Sequence, residues 1–379
     1  MIILVAPYSP VSLSSHPHLG AARKLEAVIK VLSALDEVVL VNSAHNDLDK
    51  EGFNSEITIG EVSVHQITPK RYKRSSYGKL MNIFEVRDLV KKCFSIGEPK
   101  FIWIYNSYIF ESLFAREVLR NSSCPVILEF EDWFFARKRL SLKPVLDYLS
   151  WMLIVKKINF SFVVNDQLGQ RLKPFGVPSS PFPGIISSDL MDVSDARKPF
   201  SSQIVYVGYF GGLSEEKGAD FILRVAKSTS HYVRFLVSGA GPLEMDFLKA
   251  SKEMENIDFF GCVNDEKLND IISSCDVILN PHSPIVNMGE GVFPFKVVEA
   301  ISTGRLVIST PLPLSGSKEL LGGVVFVNNE VELLSAINSS RELYFERLLS
   351  IQKSASYARQ EYSFSMMKNK IENVIESID

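Results

Sequence analysis

Residues 293–309, Phe293-Pro-Phe-Lys-Val-Val-Glu-Ala-Ile-Ser-Thr-Gly-Arg-Leu-Val-Ile-Ser309, read as a loop, a short helix, a glycine stop and a buried strand. Pro294 suits a helix entrance, and Gly304 suits the position just past its end. Leu306 to Ile308 supply an apolar strand core. Lys296 and Glu299, three residues apart, share one helix face near its N-terminus. Free N–H groups and the positive end of the helix dipole meet there, and both favour a phosphate. A lysine adds charge to that end, and a carboxylate one turn on can accept hydrogen bonds from ribose hydroxyls. The pattern suits a nucleotide diphosphate.

Upstream, Val205-Tyr-Val-Gly-Tyr-Phe-Gly-Gly-Leu-Ser-Glu-Glu-Lys-Gly218 reads as a strand, a glycine turn and a helix start. Gly208, Gly211 and Gly212 permit close backbone approach to phosphate oxygens. A tight strand–helix turn would use the same glycines. No Gly-Lys-Ser/Thr follows, so this is not a Walker A loop.

Together with Leu236-Val-Ser-Gly-Ala-Gly-Pro-Leu243, Phe259 to Leu268 and Cys275 to Leu279, these segments resemble the donor-binding half of the family-4 glycosyltransferases. Their family order spans residues 203–310, while residues 1–185 are similar only in outline. The resemblance implies the GT-B fold: two Rossmann-like α/β domains face each other across a cleft, and a C-terminal helix returns to the N-terminal domain. It implies retaining transfer from a nucleotide-diphosphate sugar to an acceptor hydroxyl, without a metal. Lys217, Lys296 and the amides of Gly211 and Gly212 would stabilise the leaving diphosphate, and Glu299 would hold the ribose. Gly20, Gly208, Tyr209, Phe295 and Val297 complete the implied donor side. Two positions depart from the family. The first of two glutamates spaced by seven is Gly291 here; either a local shift lets Glu290 beside it serve, or the donor sugar is held differently. Tyr209 stands where an arginine often does.

Alternating strand and helix patterns run the whole length, as in parallel sheets covered by helices. Strands are predicted at Ile2–Ala6, Val38–Val41, Val62–Ile67, Phe101–Tyr105, Val126–Phe130 and Phe160–Val164. A second series begins at Ile204 and ends at Val324–Val327. The proline-rich segment 174–183 is the linker candidate, and long amphipathic helices are expected at Leu343–Gln360 and Ser365–Ile378. The domains expected are 1–184, joined by 363–379, and 185–362.

On the acceptor side, Glu129-Phe-Glu-Asp-Trp133 ends a strand. Period-2 alternation puts Glu129 and Glu131 on one face and Asp132 on the other. A carboxylate there can orient an acceptor hydroxyl or assist removal of its proton; a strand-end cap is the structural alternative. The loop Pro7 to Leu19, leading to Gly20 and Arg23, holds His16 and His18. In the resemblance it faces the donor.

The first 190 residues carry 23 Lys+Arg against 19 Asp+Glu, and the remainder 18 against 25. A more basic first half suits an acidic acceptor or an anionic membrane. Lys70-Arg-Tyr-Lys-Arg74 and Arg137-Lys-Arg139, set among aromatics, suit phospholipid head groups or a lipid-linked glycan, or form a solvated basic face. The net charge of −3 and the lack of a recognition motif argue against nucleic acid. Four cysteines without CxxC spacing and no signal-peptide pattern suggest a reduced, cytoplasmic protein, associated with the membrane at most peripherally. Asp47-Leu-Asp49 is a DxD triplet in a polar turn, and no zinc spacing occurs; neither metal nor other cofactor is expected. Two other readings fit the same residues: a sugar-nucleotide epimerase, and a silent sugar-nucleotide-binding scaffold in polysaccharide or glycoconjugate assembly.

Overall fold

The computed structural model describes residues 1–9, 19–43, 54–69, 81–131, 133, 142–191, 198–282, 295–311 and 318–378. His16, His18, Asp47, Asp49, Lys70 to Arg74, Asp132, Arg137 to Arg139, Glu290 and Gly291 lie outside them.

The first eight strands are β1 (Ile2–Ala6), β2 (Val38–Asn42), β3 (Asn54–Ile59), β4 (Val62–Ile67), β5 (Phe101–Tyr105), β6 (Val126–Phe130), β7 (Phe160–Val163) and β8 (Ser179–Pro181). They form one sheet in the order β3-β4-β2-β1-β5-β6-β7-β8. Its inner strands β1, β2, β5 and β6 are largely apolar runs because both faces are covered. Ile3 and Val5 join one core, while Ile2, Leu4 and Ala6 join the other. The second sheet holds β9 (Val205–Phe210), β10 (Val233–Ser238), β11 (Ile257–Phe259), β12 (Val277–Asn280), β13 (Leu306–Ser309) and β14 (Val324–Phe326). Its order is β11-β10-β9-β12-β13-β14. The order reverses between β9 and β12, the position where such sheets bind ligands.

Three elements differ from the sequence reading. β3 was not expected; it pairs antiparallel with β4 through a turn at Gly60, whose φ is +62°. Its polar first half, Asn54-Ser55-Glu56, hides the strand pattern. β8 lies inside the predicted linker and pairs with β7, Pro181 opposite Val163. Proline is tolerated because this is the sheet edge. The helix expected over Leu343–Gln360 is two helices, Ser340–Glu346 and Leu348–Glu361, divided at Arg347.

The last helix, Phe364–Ile378, returns to the first sheet. Met367 and Ile371 are fully buried in the core that holds Leu25, Ile29 and Leu32 of the Leu19–Ser33 helix. Where the chain crosses between sheets, the Ile186 amide donates to the Tyr362 carbonyl at 2.9 Å. No helix among the described residues is long and apolar enough to cross a membrane.

Candidate active site

The site gathers at the carboxyl ends of β9 and β12. After β9 the chain turns through Gly211 and Gly212 to Gly218, which has φ +71°. A Cβ on Gly218 would stand 1.7 Å from the Pro281 carbonyl oxygen, so only glycine lets this turn press against the segment after β12. Lys217 is thereby brought beside that segment, its Nζ 3.1 Å from His282 Nε2. Gly239, at the end of β10, packs as tightly: its Cβ would stand 1.8 Å from the Gly211 carbonyl oxygen.

Lys296 begins the second turn-facing contact. The Phe295–Ser302 helix aims it back at β9, with Nζ 4.9 Å above the Tyr209 ring centre. A Cβ on Gly211 would lie 3.8 Å from the same Nζ. Burial, with the neighbouring charge of Lys217, pushes the Lys296 ammonium down to about 7. Two lysines thus converge on one glycine turn; Lys217 Nζ also lies 3.3 Å from Glu216 Oε1. Such a pair has a use for a dianionic group.

Glu299, one turn further on, is partly covered. Burial raises its carboxyl above the ordinary value, the charge of Arg23 works the other way, and Asp265 adds to the rise. Arg23 comes from the Leu19–Ser33 helix of the first sheet and pairs with Asp265. Asp265 opens the Asp265–Ser274 helix of the second, which Asn264 caps by accepting from the Lys267 amide at 2.9 Å. Glu299 therefore faces a bridge between the two sheets.

Several residues expected at the donor are placed differently. Gly208 is packed inside β9, where a Cβ would meet Cys275 Sγ at 2.6 Å. Its glycine serves strand–helix packing. The Gly211 amide donates to the Ser238 carbonyl at 3.0 Å, so it extends the sheet and is not free for phosphate as expected. Tyr209 is buried, and its hydroxyl donates to the Gly212 carbonyl at 2.7 Å, so its ring is a platform for Lys296. The Val297 side chain is core, leaving only its backbone to face a ligand. The Phe295 ring packs edge-on to Tyr362 at 6.1 Å and against Gly184, at the chain crossing. Gly20 lies in the first turn of the Leu19–Ser33 helix.

On the first sheet, β6 ends at Glu129 and Phe130, and Glu131 follows. Lys24 joins both glutamates: its Nζ is 3.3 Å from Glu129 Oε1, donates to Glu131, and donates to the Phe182 carbonyl at 2.9 Å. Alternation put the two glutamates on one face, as found. Glu129 also accepts from Trp103 Nε1 at 2.8 Å. The Glu131 amide donates to Asn106 Oδ1 at 2.7 Å. Sequence reasoning missed Lys24, His282 and the Arg23–Asp265 pair. His282 carried a usable signal: it lies two residues past the carboxyl end of a buried strand. No group of three His, Cys, Asp or Glu among the described residues could hold a metal ion.

Two α/β sheets of this topology, with the last helix returned to the first, define the GT-B fold. Within it, residues 203–341 match the family model described as glycosyl transferases group 1. The chain is similar in structure to Anabaena Alr3699/HepE in complex with UDP, with 16% identity, TM-score 0.70 and 100% of both chains covered. It is similar to the sucrose-phosphate synthase of Thermosynechococcus elongatus, at 12% identity and TM-score 0.68, covering 100% of this chain and 99% of that one. A glycosyltransferase from Rickettsia africae gives 14% identity and TM-score 0.68, with 100% and 98% covered. In sequence, no curated protein matches. The resemblance read from the sequence thus holds for the fold of the whole chain and for the group 1 domain within it.

Proposed function

We propose that the protein moves a sugar from a nucleotide-diphosphate sugar to an acceptor hydroxyl, with retention, in polysaccharide or glycoconjugate assembly at the cytoplasmic face of a membrane. The observation that carries this reading is the convergence of Lys217 and Lys296 on the Gly211–Gly212 turn, at the switch point of the second sheet. In this reading residues 185–362 hold the donor and residues 1–184 with 363–379 the acceptor. Lys217, Lys296 and the Gly212 amide receive the negative charge that develops on the leaving diphosphate, the main electrostatic task of the step. No metal is needed for it. Glu299 accepts from the ribose hydroxyls, and Glu290 supplies the place of the missing first glutamate. His18, Glu131 and Asp132 face a glycan or lipid-linked acceptor, with Asp132 orienting its hydroxyl. The UDP held by the Anabaena protein supports a nucleotide in this fold.

Glu299→Ala is expected to weaken nucleotide binding at least tenfold, about 1.4 kcal/mol, while leaving the melting temperature in place. Calorimetry with UDP, GDP and ADP, with and without EDTA, measures it. Unchanged affinity for whichever nucleotide binds the parent removes Glu299 from the site, and loss of parental binding in EDTA removes the metal-free reading.

Affinity should also depend on pH. Lys296 is charged below about 7 in the free protein, and a diphosphate favours the charged form. Binding of a nucleotide sugar, which has no phosphate titrating near neutrality, is expected to weaken as pH rises from 6 to 8.5. Lys296→Arg, always charged, should flatten the profile. A parental profile that is flat or rises with pH contradicts the assignment.

A further inference from the structure

The Leu142–Ile154 helix is apolar on two faces. Its inner face, Ser150, Trp151 and Ile154, is buried against the first sheet. Its outer face carries Val145, Leu146, Tyr148, Leu149, Met152 and Leu153, each between 36% and 56% exposed. These six recur at helical spacing, so they form one continuous stripe. A solvent-facing helix ordinarily turns charge outward, and a stripe this size marks an interaction surface. The exposed charges that directly follow it in the chain are of one sign. Lys156 and Lys157 follow in the next turn, both exposed. The sole acid between residues 142 and 165, Asp147, is buried on the inner side.

We propose that this stripe rests on an anionic membrane surface, the apolar side chains entering the head-group boundary and Lys156 and Lys157 meeting acidic phospholipids. An apolar helix face continued by exposed lysines is the combination that an anionic bilayer binds. Tyr148 suits that boundary, with an apolar ring and a polar tip. The inner face ties the surface to the acceptor side: Trp151 packs edge-on to Trp133, two residues past Glu131, with ring centres 5.8 Å apart. The proposal deepens the membrane contact proposed above and names the surface that makes it, and it is read out without glycosyl transfer.

The test is flotation of the full chain with vesicles of phosphatidylcholine alone and with about one third phosphatidylglycerol. Binding is expected on the anionic vesicles and weakly, if at all, on the neutral ones. Leu149→Asp with Met152→Asp should abolish it. Lys156→Gln with Lys157→Gln should weaken it roughly tenfold or more, because each cation near an anionic surface contributes on the order of a fivefold gain. All four side chains are exposed, so melting temperature and nucleotide affinity should match the parent. Absence of parental binding, or variants that float like the parent, overturns the proposal. So does a parental dimer that the Leu149/Met152 variant dissolves, since the stripe then belongs to a second copy. Vesicle binding without nucleotide binding would instead leave this surface standing and remove the glycosyltransferase reading.

Discussion

Lys296→Ala is expected to lower glycosyl transfer roughly 10²–10³-fold, the usual cost of deleting one preorganised charge-stabilising group. The loss should fall mainly on kcat, because negative charge on the diphosphate grows as the sugar leaves. Stability should move the other way. The folded lysine titrates at about 7 against an ordinary 10.5, so the unfolded chain holds the proton more tightly. The folded state therefore carries the full cost of the buried charge below about pH 7, and is relieved of it as pH rises towards 10.5. Alanine removes that cost, and the variant should melt no lower than the parent at pH 6. Steady-state kinetics and melting on one preparation check both halves. A rate within tenfold of the parent, or a clear fall in melting temperature at pH 6, would make Lys296 a structural residue.

Lys24→Met is expected to cost about 3–5 kcal/mol of folding stability, the scale for removing one partner from a buried ion pair. Burial alone would lower the Lys24 ammonium below its ordinary value. Glu131 and Glu129 outweigh it, and the lysine titrates above its ordinary value. Without it, Glu129, wholly buried, and Glu131 face each other with no cation. Changing both glutamates to glutamine in the Lys24→Met background should restore most of the loss. Denaturant unfolding of the three proteins measures this. A loss below 1 kcal/mol for Lys24→Met would mean that the cluster relaxes or admits water.

The strands buried on both faces were legible because most residues in them are apolar and a short run suffices. β3 and β8 were not, since one is polar for half its length and the other is proline-bounded, and only sheet neighbours make either a strand. In the site the same division holds. Lys217 sits seven residues past a strand end, and Lys296 and Glu299 share one helical turn, so local spacing exposes them. Lys24 and Glu131 are 107 residues apart, and Arg23 and Asp265 are 242 apart. Such partners meet through topology, which one sequence does not reveal. The role expected of the Gly211 amide failed for a related reason: whether an N–H is free depends on the neighbouring strand, and Ser238 lies 27 positions on.

The returning C-terminal helix sets an order on the making of the molecule. Met367 and Ile371 complete a core whose other members begin at Ile2, yet they emerge from the ribosome only after the whole second sheet. Until then the first half lacks the helix that completes this core, and part of it stands open to chaperones or to misplaced neighbours. The second sheet, closed by its own helices, has no such wait. The half that comes first in the chain is thus the last to be finished.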